Sequence, residues 1–356
     1  MRGKTSLGSL QCGRGLAAMA VVLFHLSLLL ADPRYLGYPV LFDYTRRGNL
    51  GVDFFFVLSG FIILFAHGRD IGQPDRLKSY LSKRFTRVYP AYWLYTAVFC
   101  ALVAAGMGSA ATLPHSATNW LSTILLIRFD NFELPIVPAW TLIHEVAFYA
   151  VFSLFILNRR LGIAAIILWM LPLLLVFEHR GEGDRSALTT YFSPLNLNFL
   201  IGMGACLLHR HLSIGAARAL VACGIIVFAV TYWLEAGGVS YDVTQICFAL
   251  SFGLAIAGAA AWENASERGF SLSPLQFIGD ASYSIYLTHL ACLGLFSKIM
   301  MKTPVLALGG PIAFYILVFV LTTAAGCAAY FFAERPLVAV TRRLLGTRRS
   351  PRLHSA

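Results

Sequence analysis

The chain has 356 residues, of which 58% are hydrophobic and only 13% charged, with a formal net charge of +11. A soluble domain carries about 25% charged residues, so the composition excludes an ordinary soluble enzyme and leaves no room for a sizeable soluble domain. The positive balance is read first as membrane topology, not as a nucleic-acid footprint, because Lys and Arg collect in the cytoplasmic loops between spans.

A helix needs roughly 17–25 apolar residues to cross hydrocarbon. Ten such runs are predicted, at about 14–31, 50–67, 88–107, 139–157, 161–177, 191–209, 214–234, 242–262, 275–300 and 309–333. They describe an all-α, polytopic integral membrane protein of about ten transmembrane helices. The first run follows Arg2 and Lys4 and has no convincing small-residue cleavage site before Asp32-Pro33, so it reads as a retained signal anchor. Residues 118–127 form an apolar patch too short to span, which predicts an interfacial or re-entrant segment.

With both termini cytoplasmic, only Arg34, Arg46, Arg47, Arg128, Arg180, Arg185, Lys298 and Lys302 of the 28 Lys and Arg residues fall on the outer side. That asymmetry sets the orientation. Residues 1–340 then make one membrane domain and 341–356 a basic cytoplasmic tail. The longest outer loop, about 108–138, is either a lid or acceptor site or a plain connector. The seven cysteines include no CxxC pair and lie mostly in apolar runs, where they serve as small buried hydrophobes.

Ionisable groups inside spans are costly and point to function. Arg14 and His25 are eleven residues apart, close to three helical turns, so they share a face ~16 Å apart along the axis. A lone helix histidine is commonly a satisfied core residue; an arginine aligned below it argues for more. Asp53 opens the second run at what is expected to be a comparable depth, either orienting the imidazole or capping the helix. Arg84 and Arg87 share a face and serve either as inner-side topology charge or as a clamp for phosphates. Glu145, beside His144 in Trp140-Thr-Leu-Ile-His144-Glu145-Val-Ala-Phe148-Tyr149, and His289, in the ninth run with Tyr286, fall in the outer halves of their runs. Arg335 closes the last run. Two layers are therefore expected: His25, Asp53, Glu145 and His289 towards the outer side, and Arg14, Arg84, Arg87 and Arg335 at the inner side.

These residues resemble the acyltransferase-3 family of bacterial membrane O-acyltransferases that modify cell-surface and exported glycans. The resemblance rests on Arg14 and His25, Gly51-Val-Asp53-Phe-Phe-Phe-Val-Leu-Ser59-Gly60-Phe61, Arg84-x-x-Arg87 with Pro90, Trp140-x-Leu-x-x-Glu145-x-x-Phe148-Tyr149, Ser282-Tyr-Ser-Ile-Tyr286-Leu-Thr-His289 and Glu334-Arg335-Pro336, in the family's order. One departure is Leu10-Gln-Cys-Gly-Arg14, where Leu-Asp-Gly-Leu-Arg is usual.

The resemblance implies ten helices in a bacterial inner membrane. It also implies acyl-CoA, usually acetyl-CoA, as cytoplasmic donor substrate, with no permanently bound cofactor and no metal. It implies a glycan or glycolipid hydroxyl as acceptor, His25 as the essential histidine, Glu145 as a core functional residue and Arg14, Arg84 and Arg87 as donor-handling residues; by the two-layer reading, Asp53 joins His25 and Glu145 as catalytic and Arg335 joins the donor-binding arginines. Ser59, Trp140, His144, Tyr149, Tyr286 and His289 are expected to face the acceptor or support the site. No esterase-like domain is expected beyond the membrane domain, which leaves transfer to this domain or a partner. His25 is either a general base on the acceptor hydroxyl or a covalent acyl carrier. The alternative from another class is a proton-coupled transporter or flippase of a glycan or small anion, in which buried His and Glu relay protons.

Overall fold

A computed structural model describes residues 7–107, 113–173, 186–266 and 272–346, and no strand occurs among them. The physical reason is that lipid offers no partner for N–H and C=O groups, so an apolar run closes its hydrogen bonds within itself as a helix. In chain order these are α1 (Gly8–Ala31), α2 (Phe42–Thr45), α3 (Gly51–His67), α4 (Leu77–Ala104), α5 (Ala117–Leu125), α6 (Trp140–Leu157) and α7 (Arg159–Met170). They continue with α8 (Ala187–Tyr191), α9 (Leu197–Leu208), α10 (Ile214–Ala236), α11 (Tyr241–Ala265), α12 (Ser273–Met300), α13 (Val305–Ala329) and α14 (Arg335–Leu344).

Among the described residues, seven segments are long and apolar enough to cross a membrane: Gly8–Ala31, Phe42–Asp70, Val137–Leu157, Ala187–His211, Ile214–Ala236, Val243–Ala265 and Val305–Leu344. Helices α4 and α12, of 28 residues each, are long enough but less apolar. Many of their polar residues line the site described below. The expected run 161–177 corresponds to α7, and its part beyond 173 lies outside the described residues. So do Arg2, Lys4, Arg180, Arg185 and Arg268, residues 108–112 of the long loop, and 347–356 of the basic tail. The boundary expected at 340 falls inside α14. The patch at 118–127 is the nine-residue α5, capped by the Ser116 hydroxyl, which accepts from the Asn119 N–H.

Two packing arrangements place the site. Helices α1 and α12 run side by side in the same direction, at a separation only glycine allows. A Cβ on Gly15 would lie 2.7 Å from the Leu275 carbonyl oxygen, and one on Gly279 would strike the Gln11 carbonyl. Helices α3 and α9 cross equally closely, with Gly60 against the Phe199 carbonyl and Gly202 against the Val57 carbonyl. Small residues at such crossings let backbones approach and raise the packing contact between helices. Around that second crossing, the rings of Phe56 and Phe148 stack on Phe199 at 4.8 and 4.4 Å, which ties α3, α6 and α9 into one core.

One expectation about the second run is corrected here. The apolar segment reaches back to Phe42, but its long helix begins at Gly51, as the run 50–67 expects; what changes is the depth. Helix α3 itself starts halfway along α1, where Gly51 lies against the Ala17 carbonyl and Gly48 against that of Ala20. From there α3 runs back towards the start of α1, with Phe54 facing Gly13. Residues 32–50 cover the far half of α1 instead. Asp53 therefore sits well below His25, and the two do not share a depth.

Candidate active site

The parallel register of α1 and α12 carries polar contacts at both ends of the pair. At one end Arg14 Nη2 donates to Ser282 Oγ at 2.9 Å. Eleven residues further along α1 and seven further along α12, His25 Nδ1 meets His289 Nε2 at 3.3 Å. Ser282, Tyr286 and His289 share a face of α12 by their spacing. His289 is wholly buried and His25 partly so.

Each ring's Nδ1 also faces a carbonyl of its own helix: His25 that of Val21 at 2.9 Å, His289 that of Tyr286 at 2.6 Å. A carbonyl can only accept, so in the neutral rings both Nδ1 atoms carry the proton, an assignment drawn from the hydrogen-bond network. His289 Nε2 then accepts from His25 Nδ1–H, which it shares with the Val21 carbonyl. The lone pair of His25 is left on Nε2, the atom a general base or a nucleophile would use.

Gln11 stands where an acid is usual, and its amide bridges two charges. Its Oε1 accepts from Arg14 at 3.3 Å while its Nε2 donates to Asp280 Oδ1 at 2.7 Å. The carboxylate absent from position 11 is thus present on α12, one amide away from Arg14.

A cavity of about 940 Å³ opens at the Arg14 end of this pair. Helix α4 lines it with the stripe Lys78, Ser79, Ser82, Lys83, Thr86 and Arg87, and Arg84 joins them; the i, i+3, i+4 spacing makes this one helix face. Helix α6 contributes Thr141, Glu145 and Tyr149, four residues apart, and α3 contributes Phe55, Ser59 and Ile62. Arg14 and Ser282 line the cavity, and so do Tyr283 and Tyr286. Its mouth is strongly basic: Lys78 and Lys83 are exposed, Arg342 is half-buried there, and Asp75 is the carboxylate among them. At its inner end Tyr286 packs its ring 6.2 Å from Phe55 and 5.7 Å from His289. The cavity stops at these two rings; His25 and His289 lie just beyond them.

Within the cavity the charged groups are held in place. Glu145 Oε1 accepts from Ser59 Oγ at 3.2 Å and from the Tyr149 hydroxyl. Arg84 lies over the Tyr149 ring at 5.7 Å and its Nη2 is 3.4 Å from His67 Nε2, and its Nε has no hydrogen-bond partner. Arg87 lies over the Tyr283 ring at 5.0 Å and donates through Nη1 to Glu334 Oε1 at 3.1 Å. Glu334 ends a π-helical turn, Tyr330–Glu334, and is buried. Its second oxygen accepts from Ser284, which in turn contacts Tyr95 at 2.7 Å. A π turn inserts an extra residue into a helix and is frequent at functional sites. Here it directs a carboxylate inward at the end of an apolar span.

Of the residues singled out from the sequence, Arg14, Ser59, Arg84, Arg87, Glu145, Tyr149 and Tyr286 line the cavity, and His25 pairs with His289 beyond its inner end. The others are elsewhere. Asp53 is not beside His25; its Oδ1 accepts from Asn198 Nδ2 at 2.9 Å and from Gln245 Nε2 at 3.3 Å, binding α3 to α9 and α11. Glu145 is level with Ser59, six residues and ~9 Å further along α3 than Asp53, so the single outer layer expected of these groups divides into three levels. His144 is buried with Nδ1 3.0 Å from Asn196 Oδ1, and Trp140 packs edge-on to it at 5.5 Å. Arg335 is exposed and lies over Phe331 at 5.7 Å, away from the cavity. Its neighbour Glu334 is the one turned inward, where it accepts from Arg87. The signal that could have found Glu334 is the one that found Glu145, a carboxylate in an apolar run. Among the described residues, no group of three or more His, Cys, Asp or Glu is placed to hold a metal ion.

The chain matches the profile of an acyltransferase domain across residues 7–331. It is similar to the exopolysaccharide production protein ExoZ of Rhizobium meliloti, 34% identical over 82% of this chain and 90% of that protein. It is also similar to the O-acetyltransferase OatA of Staphylococcus aureus, 24% identical over 91% of this chain and 56% of the relative. With the peptidoglycan O-acetyltransferase OatA of Listeria monocytogenes it shares 29% identity over 40% of the chain and 23% of the relative. The chain thus spans most of ExoZ but only about half of the Staphylococcus aureus protein. No solved structure matches it.

Proposed function

The chain belongs to the acyltransferase family whose domain fills residues 7–331, and on that premise we propose that it is a membrane O-acyltransferase moving an acyl group, foremost acetyl, from cytoplasmic acyl-CoA to a hydroxyl of an exported or cell-surface glycan. It is an enzyme of multi-pass, membrane-spanning character. The finer reading adds ten spans in a bacterial inner membrane, with both termini and the basic cavity mouth on the cytoplasmic side.

The observation that carries the proposal is the course of the cavity. It runs from a cluster of lysine and arginine, suited to the phosphates of CoA, past Arg14 and Glu145 to the rings that shield the histidine pair. A volume of about 940 Å³ is ample for a donor of that size class. The thioester would pass Phe55 and Tyr286 to reach His25. There, Nε2 takes the proton of the acceptor hydroxyl as its oxygen attacks the thioester carbonyl, and the CoA thiolate leaves. In the covalent variant, Nε2 itself displaces the thiolate and then passes the acyl group to the hydroxyl. The names of the relatives, an exopolysaccharide production protein and O-acetyltransferases, support a glycan acceptor.

The test is acetyl transfer by the full-length protein in nanodiscs, supplied with labelled acetyl-CoA and a de-esterified bacterial exopolysaccharide. Ester-linked label on the glycan, with matching release of CoA thiol, is expected for the wild type and absent for His25→Ala. Translocation of glycan without any acyl-CoA consumption would refute the proposal in favour of a transporter.

A further inference from the structure

Helix α14 lies just past residue 331, where the match to the acyltransferase family ends, yet it helps to build the cavity. Arg342 and Leu345 are three residues apart, so they share a face, and both line the cavity mouth. The helix packs against α4, whose exposed Lys78 and Lys83 line the same mouth. Three cations from two elements therefore meet at the outermost part of the cavity. Arg84, Arg87 and Arg14 lie deeper, against Tyr149, Glu334 and Ser282.

A thioester directed at the histidine pair leaves the opposite end of CoA, the adenosine with its 3′-phosphate, at the mouth. We propose that Arg342, with Lys78 and Lys83, forms the subsite for that 3′-phosphate, so that part of the donor site is made by chain beyond the stretch matched to the family. This rests on acyl-CoA being the donor. Arginine suits a phosphate monoester because its planar fork can hold two oxygens at once.

Equilibrium binding of CoA and of 3′-dephospho-CoA to the full-length protein in nanodiscs tests it. The wild type is expected to bind CoA about tenfold more tightly than 3′-dephospho-CoA, the scale of one charge-assisted hydrogen-bonding group. Arg342→Ala should weaken CoA by that factor and leave 3′-dephospho-CoA unchanged, while Arg342→Lys restores part of the preference. The unchanged dephospho affinity also shows that the variant is folded. Equal affinities in the wild type, or a preference that survives Arg342→Ala, would overturn the subsite alone. Failure of the wild type to bind either ligand at millimolar concentration would overturn the donor reading with it.

Discussion

The closeness of α1 and α12 makes Gly15 the most informative single position. A Cβ added there would lie 2.7 Å from the Leu275 carbonyl oxygen and 3.2 Å from the Gly279 nitrogen, where ordinary contact begins at 3.4 Å. Both neighbours are backbone and neither can swing aside, so the helices must part by about 0.7 Å in Gly15→Ala. Carried along the pair, that parting widens the His25–His289 contact from 3.3 Å to about 4.0 Å, outside hydrogen-bond range. The Arg14–Ser282 bond stretches from 2.9 Å to about 3.6 Å. Misplacement of a catalytic group by ~1 Å can cost ~100-fold, so a fall in transfer rate on the order of tenfold is expected. The assay is acetyl transfer in nanodiscs with thermal melting measured on the same preparation. Gly204→Ala is the control, since a Cβ there meets nothing within 4 Å. A Gly15→Ala protein with the wild-type rate would refute the argument that this helix register aligns the site.

Donor handling and chemistry should separate: Arg14→Ala weakens CoA binding several-fold, whereas His25→Ala binds CoA normally and transfers nothing, as read by calorimetry and product formation. Asp53→Asn keeps an oxygen for Asn198 and Gln245 and should retain most activity. Asp53→Ala leaves those buried amides unpaired, at a stability cost of about 1–3 kcal/mol visible as a lower melting temperature. Glu334→Gln removes the charge that holds Arg87 and should raise the apparent KM for acetyl-CoA about fivefold with kcat little changed, a shift of about 1 kcal/mol. A kcat effect of the same size would mean Glu334 acts in the chemistry, not in donor placement.

The helical architecture was legible because a span must satisfy its own backbone, which forces long apolar runs. Arg14, Arg84, Arg87 and Glu145 were legible for a related reason: a charge in such a run is costly enough to need a purpose. What failed was depth. Counting residues from a supposed span edge put Asp53 level with His25, but α3 begins at Gly51 against Ala17, in the middle of α1. The actual partners of Asp53 are neutral amides 145 and 192 residues away, and amides in apolar runs give no such alarm. Glu334 was hidden by its neighbour Arg335, since a Glu-Arg pair at the end of a span reads as its boundary. Only the π turn reveals which of the two faces inward. The pairing of His25 with His289 depends on α1 and α12 being parallel and in register, a relation no local pattern contains.

The segment that covers the far half of α1, residues 32–50, has a consequence for how this enzyme could diversify. The cavity's inner wall includes α1, α3 and α12, whose Gly15, Gly60 and Gly279 lie against neighbouring backbones, where almost any change is felt. Residues 32–45 are instead mostly turns and the four-residue α2, the kind of chain that tolerates insertion and replacement. Under the proposed reaction, the donor's path and the cover over the far half of α1 are written on separate stretches of sequence under different constraint. A lineage could replace the cover at 32–45 and keep the helices that line the cavity untouched.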